Sequence, residues 1–384
     1  MYAVNQQSKL DFIKSLFSRK TAYSLAPTLT NVDTFGAYVE PIIQLFKPTW
    51  RYNAISAKLV SINNESSNVY TLSLKPNSSW HSFTAGQFVQ LTVEKNGSLV
   101  TRTFSISSSP RHFKETGCIE LSIRIQDKGL ITPWLLNNVP LESTVYLSKA
   151  MGDFTLQNTV KHKLFIAAGS GITPIRSILN EHIHSAWLKD ATLLFYVRNH
   201  SELLFSQDLQ AYKNAGLHCK IIYTEESGHI SEQHLKTNVP DFKNGESYIC
   251  GPREMIQSTV ELLCNADVAA EHIHFEYFGQ APIEALDLNE EDFEPDEAIQ
   301  VDYLSSQKQV KFNPDGIPKT LLELAEQEGL QPTSGCRMGI CHQCICKKKQ
   351  GRVYNTKTKQ YSDSGAEEIQ LCVSVPIGNV ELEL

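Results

Sequence analysis

The sequence lacks the features of a membrane-spanning or secreted protein. Its 384 residues contain no apolar run that approaches the ~18 residues typical of a membrane span. The N-terminal segment MYAVNQQSKLDFIKSLFSRK has neither a continuous apolar stretch nor a small-residue cleavage site, so we expect no signal peptide. Nine cysteines are too sparse for a disulfide scaffold in a chain of this length. These absences favour a protein of the reducing cytoplasm, with peripheral attachment at the inner face of the membrane as the alternative.

Excess charge is also scarce, except in one short segment. The net charge is −7, and the stretch Glu284–Glu297 contains eight acidic residues and no basic one. The rest of the chain is therefore nearly neutral, which argues against a nucleic-acid partner. Because like charges repel and keep a segment extended, we predict a solvated acidic linker at 281–297.

Four cysteines near the C-terminus carry the strongest chemical signal. Cys336, Cys341 and Cys344 have the spacing C-x4-C-x2-C, and Cys372 follows after 27 intervening residues. This is the ligand spacing of plant-type [2Fe–2S] clusters. Structural zinc sites usually pair C-x2-C with C-x2-C, so zinc fits less well. We predict a [2Fe–2S] cluster held by these four thiolates, and we interpret Cys346 as a buried thiol outside the ligand set.

The rhythm of strands and helices predicts a multidomain chain. Residues 51–158 contain short alternating strands separated by turn residues, which indicate an antiparallel β-barrel. In 159–280, apolar strands alternate with helices, which is typical of an α/β domain with a parallel sheet. Residues 298–384 combine strands, one short helix and the cysteine loop, and they resemble an α+β ferredoxin of the β-grasp type. After Cys372, VSVPIGNVELEL is expected to form one final strand. Thr320 and Glu323 form a predicted capping box for that helix, and Gly329 is placed to end it.

Residues 1–50 form a separate N-terminal helical extension. Within it, SKLDFIKSLF places Leu10, Ile13 and Phe17 on one helical face. Such a face can dock on a membrane or a membrane partner. We favour packing on the barrel, because most amphipathic helices pack on a core.

A glycine turn after an apolar strand predicts a site for a pyrophosphate. The turn, GSGITP, contains Gly169, Gly171, Thr173 and Pro174. We expect Thr173 to cap the next helix and Pro174 to occupy its first position, so that the helix N-terminus faces the phosphates. The turn lacks the full G-x-G-x-x-G with a downstream acid, which disfavours an ordinary Rossmann dehydrogenase.

Two further segments carry groups suited to a flavin and a nicotinamide. TRTFS ends a predicted barrel strand, and its Arg102 can clamp a pyrophosphate bidentately. In the same segment Phe104 can pack on an isoalloxazine ring, and Ser105 can hydrogen-bond the reactive nitrogen of that ring. Cys250 begins CGP at another strand end, where a small polarisable thiol can lie against a nicotinamide. Taken singly, each of these residues could equally be an ordinary core or surface side chain.

In this order the segments resemble the plant-type ferredoxin–NADP reductase superfamily. TRTFS resembles the R-x-Y-S flavin motif of that superfamily, GSGITP its G-x-G-x-T-P nucleotide motif, and CGP its nicotinamide-side motif. The resemblance covers 51–279, and a likeness to plant-type ferredoxins covers 298–384. It implies FAD, or FMN, on the barrel and NAD(P)H on the parallel sheet. Two departures are Phe104 in place of tyrosine, and His342 where plant-type ferredoxins usually have glycine.

The resemblance also implies which residues border the reaction. Lys128–Thr132 looks like a second flavin-phosphate segment, and Glu276 and Phe278 look like the end of the reductase domain near the flavin ring. Ser105, Cys250 and Glu276 are then expected to border hydride transfer. The full set assigned to cofactor binding is Arg102, Thr103, Phe104, Ser105, Lys128, Gly129, Leu130, Ile131, Thr132, Gly169, Gly171, Thr173, Pro174, Arg198, Cys250, Gly251, Pro252 and Phe278.

One arginine suggests the choice of coenzyme. NAD-binding sheets usually place an acid at the end of the second strand to meet the ribose 2′-hydroxyl. Here YVRNHSE places Arg198 there, with His200 close by, and an arginine can accommodate a 2′-phosphate. We predict NADPH as the coenzyme. The alternative is NADH, with an Arg198 that faces solvent and does not take part in coenzyme binding.

The order of the domains suggests an electron acceptor. With the ferredoxin last and about 50 residues before the barrel, the chain is similar to bacterial reductases of membrane acyl-CoA (stearoyl-CoA) desaturases. This implies electron transfer from NAD(P)H through flavin and cluster to a membrane-bound di-iron desaturase. The reductase component of a Rieske-type or alkane oxygenase shares every motif and stays open. A redox sensor or non-catalytic electron-transfer subunit is disfavoured, because GSGITP and CGP are intact.

Overall fold

The computed structural model describes residues 54–95, 98–125, 132–159, 161–239, 241–277, 298–312, 319–334, 337, 339 and 343–384. The predicted N-terminal extension at 1–50 and the acidic linker at 281–297 lie outside the described residues. Within the described part, no helix is both long enough and apolar enough to cross a membrane.

The first domain is built on a six-stranded antiparallel sheet with the order β4-β3-β6-β1-β2-β5. Its two edges meet where Ile106 bridges Leu121 and the Ser107 amide donates to the Glu120 carbonyl at 2.8 Å, so the sheet curls into the predicted barrel. The elements are β1 (Ile55–Ser66), β2 (Val69–Pro76), β3 (Phe88–Lys95), β4 (Ser98–Ser105), α1 (Pro110–Thr116), β5 (Ile119–Arg124), α2 (Thr132–Asn138) and β6 (Thr144–Leu147).

Strand alternation explains how the barrel fills its interior. In β6, Val145 and Leu147 are buried, whereas Thr144, the first residue of the strand, is exposed. Successive side chains of a strand point to opposite faces, so one face supplies the core. Leu72, Leu91 and other barrel side chains join the same cluster, which lies inside the barrel.

The second domain is a five-stranded parallel sheet with the order β11-β10-β7-β8-β9, as predicted. Every residue of β8 and β10 is buried, which is expected of central parallel strands covered on both faces. The strands are β7 (Lys163–Ala168), β8 (Ala191–Val197), β9 (His218–Tyr223), β10 (Glu246–Gly251) and β11 (Ile273–Tyr277). The α-helices are α3 (Ile172–Glu181), α4 (Ser206–Asn214), α5 (Thr224–Ser227), α6 (Glu232–Asn238) and α7 (Arg253–Asn265).

The third domain pairs a five-stranded sheet, β13-β12-β19-β14-β17, with a small sheet, β16-β15-β18. Its α8 (Leu321–Gln327) begins with the predicted capping box: Thr320 accepts from the Glu323 amide, and Glu323 accepts from the Thr320 amide. The strands are β12 (Ile299–Tyr303), β13 (Lys308–Phe312), β14 (Ile345–Gln350), β15 (Val353–Asn355), β16 (Gln360–Tyr361), β17 (Glu367–Gln370), β18 (Ser374–Pro376) and β19 (Val380–Leu382).

One prediction for this domain was wrong. The segment VSVPIGNVELEL was expected to be a single final strand, but it forms β18 and β19 in two different sheets. Pro376 has no N–H with which to continue a ladder, and Gly378 and Asn379 favour a turn.

Candidate functional site

Three predicted residues from distant parts of the chain meet in the interior. The Ser105 hydroxyl, at the end of β4, donates to Glu276 Oε2 at 3.0 Å across 171 positions of sequence. Cys250 of β10 is the register partner of Glu276 on β11. All three residues are buried. The structure therefore brings the end of the TRTFS strand to β11, which pairs with the strand that ends in CGP.

Burial controls the protonation of this group. Burial raises the pKa of Glu276 to about 8, although the hydrogen bond from Ser105 lowers it in part. Burial, helped by the nearby Glu276 charge, also raises the pKa of the Cys250 thiol well above its ordinary value. At neutral pH the site therefore holds a protonated carboxyl group and a neutral thiol. Such a thiol is a poor nucleophile, because the thiolate is the reactive form.

The glycine turn packs directly on the CGP segment. A Cβ atom at Gly171 would lie 2.1 Å from the Cys250 carbonyl oxygen, so only glycine allows this contact. Gly169 has a φ of +52°, and a Cβ there would lie 3.2 Å from a terminal nitrogen of Arg124. Gly251 also approaches Ala168 closely. The glycines thus bring the ends of two neighbouring strands together, in addition to any role at a phosphate.

The predicted cap of the following helix was wrong. The turn is a 3-10 helix at Gly169–Gly171 that continues directly into α3, and Gly171 occupies the N-cap position without a side-chain hydrogen bond. Thr173 lies inside the first turn, where its hydroxyl donates to the Ser170 carbonyl at 2.9 Å. Pro174 is third in the helix rather than first. Because the backbone at Gly171 is already helical, with φ −61° and ψ −11°, no extended residue is left to serve as a side-chain cap.

A cavity of about 410 Å³ opens beside this turn at the carboxyl ends of the parallel strands. In open α/β sheets, ligands bind at that edge. Arg198 lines the cavity and is largely exposed, with its guanidinium 3.2 Å from Glu202 Oε1. Glu202 also lies 3.5 Å from Arg124, which comes from the barrel. Pro252 belongs to the same lining.

Sequence reasoning missed Arg124 and Glu202. Arg124 ends β5, a few residues before the predicted flavin-phosphate segment, and its Nε is buried without a hydrogen-bond partner among the described residues. A cation at a strand end next to that segment was the available signal. The unpartnered nitrogen suits an anionic or hydrogen-bonding ligand such as a nucleotide.

The TRTFS segment of the barrel also contains polar groups that can contact a ligand. Arg102 is exposed and donates to the Thr101 carbonyl at 2.7 Å. The hydroxyl of Thr103 is buried and has no hydrogen-bond partner among the described residues, so it fits a ligand that supplies one. Phe104 is only partly buried and packs against the barrel core. Thr132 is buried at the start of α2, whereas Lys128, Gly129, Leu130, Ile131 and Phe278 lie outside the described residues.

Two of the four predicted iron ligands can be placed. Cys344 and Cys372 are both buried, and the Leu371 amide donates to the Cys344 carbonyl at 3.0 Å, which makes the two segments neighbours. The Gly339 amide donates to Cys372 Sγ at 3.3 Å, the type of contact that stabilises a thiolate. This donor set fits an iron–sulfur cluster. Cys336, Cys341 and His342 lie outside the described residues.

The third domain touches the first two near these groups. Gln343, next to Cys344, donates through Nε2 to Gln90 Oε1 of β3 at 3.0 Å. Glu323 Oε1 of α8 lies 3.7 Å from Arg253 of α7. Gln343 therefore lies against the barrel strand that pairs with β4 and its TRTFS segment.

Comparison with known proteins supports this division of the chain. The family described as oxidoreductase FAD-binding domain matches residues 56–156, and the oxidoreductase NAD-binding domain matches 165–261. The 2Fe-2S iron-sulfur cluster binding domain matches 305–376. The cofactors are therefore FAD, a nicotinamide nucleotide and a [2Fe–2S] cluster, and FAD is favoured over FMN.

Relatives match over most of this chain and most of their own length. An NADPH oxidoreductase of Mycobacterium tuberculosis is 24% identical over 349 residues, which cover 89% of this chain and 87% of the relative. The glycine betaine monooxygenase reductase subunit of Chromohalobacter salexigens is 26% identical over 330 residues, covering 78% and 87%. The solved structure of phthalate dioxygenase reductase has the same fold, with a TM-score of 0.57, 17% identity, and coverage of 86% of this chain and 98% of that one.

These findings define the class of the protein. It is a multidomain oxidoreductase with an oxidoreductase FAD-binding domain, an oxidoreductase NAD-binding domain and a C-terminal [2Fe–2S] domain. More particularly, it is an NAD(P)H-dependent electron-transfer reductase, similar to the reductase components of oxygenases.

Proposed function

We propose that this reductase carries electrons from NADPH to a membrane-bound di-iron fatty-acyl desaturase. The observation that carries the reductase mechanism is the buried Ser105–Glu276 hydrogen bond beside Cys250. Gln343, next to the proposed iron ligand Cys344, contacts the adjoining barrel strand. One continuous region thus adjoins the proposed flavin, nicotinamide and cluster positions.

The described residues divide the binding tasks between the two reductase domains. Arg102 and Thr103 present a cation and a hydroxyl without a partner among the described residues to the proposed flavin side. Gly169 and Pro252 belong to the cavity that would hold the nicotinamide nucleotide, and Arg198 reaches its rim, where it would meet a 2′-phosphate.

Inside the site, the chain controls water and protons. A flavin bound here would supply the exchange between an electron pair from the nicotinamide and the single electrons that a cluster can carry. Cys250 is 0% exposed and uncharged, so it acts from within the core, where it places a neutral thiol beside Glu276. Glu276 holds a proton within hydrogen-bonding distance of Ser105, so the pair can supply or store a proton without access to solvent. Arg102, Ser105 and Cys250 act by binding and positioning, and none forms a covalent bond in this scheme.

The acceptor is the less constrained part of the proposal. Support for a desaturase comes from the domain order and the extension of about 50 residues before the barrel, which resemble desaturase reductases. The name of the Chromohalobacter relative, a monooxygenase reductase subunit, instead favours an oxygenase such as a Rieske-type enzyme as the second candidate. Both acceptors need single electrons of low potential, so the electron path through the chain is the same for either.

A reconstitution separates the two acceptors. The purified protein and NADPH are added to host membranes stripped of soluble reductases, with stearoyl-CoA and oxygen, and oleoyl product is measured. Product is expected with the wild-type protein and not with Cys372→Ser, which removes a proposed iron ligand and leaves the reductase domains intact. Cytochrome c reduction without oleoyl product would refute the desaturase acceptor and leave the oxygenase. A protein that oxidises neither NADPH nor NADH would refute the assigned coenzyme role of the GSGITP and CGP segments.

A further inference from the structure

The helix that follows the nucleotide turn is fastened to the barrel along one face. Ser177 of α3 donates to the Ser108 carbonyl at 2.6 Å. Arg111, at the start of α1, donates through its amide to Glu181 and through its guanidinium to the Asn180 carbonyl, both at 2.8 Å. The barrel segment 107–111 therefore packs along α3, and its residues follow the TRTFS segment almost directly.

Arg176 lies at the centre of this contact and binds both domains at once. Its NH1 atom lies 2.7 Å from Glu120 Oε2 and donates to the Ser107 carbonyl at 3.1 Å, both in the barrel domain. Its Nε lies 2.6 Å from Asp208 Oδ2 of α4, in the nucleotide domain. The guanidinium also lies 4.5 Å from the centre of the Phe205 ring. The planar guanidinium has donors on several edges, so one side chain can join carboxylates from two directions.

The surroundings of Arg176 keep it rigid. Its side chain is only 14% exposed, and burial alone would lower its pKa. The carboxylates of Asp208 and Glu120 outweigh that effect and raise the pKa, so the guanidinium stays charged. Phe205, which covers it, has a positive φ of 54°, a backbone conformation that packing must hold in place.

The Arg176 contact matters because both of its sides lie close in sequence to the two cofactor motifs. Arg176 is one helical turn after Thr173 of the nucleotide turn, and Ser107 is two residues after Ser105 of the barrel motif. A displacement at Arg176 therefore moves the nucleotide turn relative to the barrel motif. Transfer between two bound groups depends steeply on their distance and orientation.

We propose that Arg176 is a positioning residue that sets the register between the flavin-binding and nucleotide-binding domains. Among the described residues, its guanidinium contacts are with Ser107, Glu120, Asp208 and Phe205, none of which lines the cavity. It acts by holding α3 and its glycine turn against the segment that follows Ser105. The proposal rests on the assignment of TRTFS and GSGITP to the two cofactors, and it is independent of the acceptor.

Two variants test it in the FAD-loaded full-length protein. Arg176→Lys keeps the charge but cannot reach Asp208, Glu120 and Ser107 together. The triple variant Arg176→Met/Glu120→Gln/Asp208→Asn removes the guanidinium together with the charges of both carboxylates. No buried charge is then left unpaired, which protects folding. Lys236→Met serves as the control, because it breaks an exposed ion pair with Glu232 on α6 of the same domain.

The first measurement is the rate of flavin reduction by NADPH in a stopped-flow instrument. For both Arg176 variants we expect the limiting rate at saturating NADPH to fall by roughly 10- to 100-fold, because small misplacements weaken transfer. The dissociation constant for NADPH should change little, and electron passage from dithionite-reduced protein to cytochrome c should keep its rate. Lys236→Met should match the wild type in each assay.

The second measurement is hydrogen–deuterium exchange, which needs no turnover. Amides of 107–111 and of α3 should exchange faster in Arg176→Lys than in wild type, with β7 and β10 unchanged. A normal limiting rate in a folded Arg176 variant would overturn the proposal. So would a weaker NADPH affinity that accounts for the whole loss, since Arg176 would then be a binding residue. If neither NADPH nor NADH reduces the wild-type protein, the cofactor assignment is wrong. If the wild type is reduced but hydrogen–deuterium exchange is unchanged in Arg176→Lys, the proposed positioning role of Arg176 is wrong.

Discussion

The raised pKa of Glu276 makes a prediction about stability that can be worked out from the structure. The carboxyl is buried, and its pKa rises from an ordinary 4.5 to about 8. In the folded protein it therefore keeps its proton over a pH range in which the unfolded chain has lost it. The folded state binds more protons than the unfolded state between these two values. Stability must then fall as the pH rises through that range and level off above about 8.

The expected size follows directly. Each pH unit between the two pKa values changes the free energy of unfolding by about 1.4 kcal/mol. Between pH 5.5 and 7.5 the contribution of Glu276 should fall by roughly 3 kcal/mol, with the shift from 4.5 to about 8 setting an upper bound near 5 kcal/mol over the whole range. This contribution is fully present below pH 4.5 and is absent above the folded pKa.

Glu276→Gln isolates this contribution, because glutamine keeps the shape and can still accept the Ser105 hydrogen bond without titrating. The free energy of unfolding in urea is measured from pH 5 to 9 for both proteins, loaded with FAD in the same way. Tryptophan fluorescence reports mainly the reductase domains, since Trp80, Trp134 and Trp187 lie in them and the third domain has no tryptophan. The wild-type minus variant difference should fall with pH up to about 8.

A matched variant tests the cause of the shift. Ser105→Ala removes the hydrogen bond that lowers the pKa of Glu276, so the pH at which the difference levels off should move upward. Parallel pH profiles for the wild type and Glu276→Gln would refute the reasoning, because they would mean that the carboxyl titrates alike in the folded and unfolded chains.

Three further predictions concern other parts of the molecule. Arg198→Ala should raise the KM for NADPH by about tenfold or more while leaving the KM for NADH nearly unchanged, because a charge-assisted contact to the 2′-phosphate is lost; equal effects on both would contradict a 2′-phosphate role. Cys344→Ser should abolish the visible absorption of the cluster, and Cys346→Ser should retain it, since Cys346 is proposed to lie outside the ligand set; cluster loss in both would put Cys346 among the ligands. Thr320→Ala should destabilise the third domain by about 1 kcal/mol through loss of the capping box, seen as earlier bleaching of the cluster in urea.

The contacts of the third domain bear on how electrons reach the acceptor. Among the described residues, Gln343–Gln90 and Glu323–Arg253 join it to the two reductase domains. Both contacts are polar, and the ion pair is long at 3.7 Å. The Arg253 and Glu323 side chains are 28% and 17% exposed, so this pair is partly buried and salt screens it less than it would screen a fully exposed pair. The two contacts hold the third domain against both reductase domains, from which it would receive electrons.

Local signals explain what could be predicted from the sequence. The cysteine spacing indicated an iron–sulfur domain because ligands from one short loop must follow a fixed geometry. The strand rhythm before residue 158, and its change to alternating strands and helices after it, predicted the barrel and the parallel sheet, because period-2 and period-3.6 patterns each bury one face. The capping box at Thr320 was predictable because its hydrogen bonds span only three residues.

Only the tertiary structure decided the features that depend on distant partners. Position 171 must be glycine because the Cys250 carbonyl on another strand leaves no room for a Cβ atom. The 3-10 turn Gly169–Gly171 leads directly into the helix, so Thr173 lies inside the helix and not at its cap. The Ser105–Glu276 pair and the raised pKa of Glu276 exist because folding brings positions 171 residues apart into one buried place. Arg176 looked like an ordinary polar residue of a helix, and its role as a link between domains follows from the approach of two separate chain segments. The sequence by itself determined which cofactors the chain is built to bind, whereas the packing of the domains determined how their binding segments are held against one another.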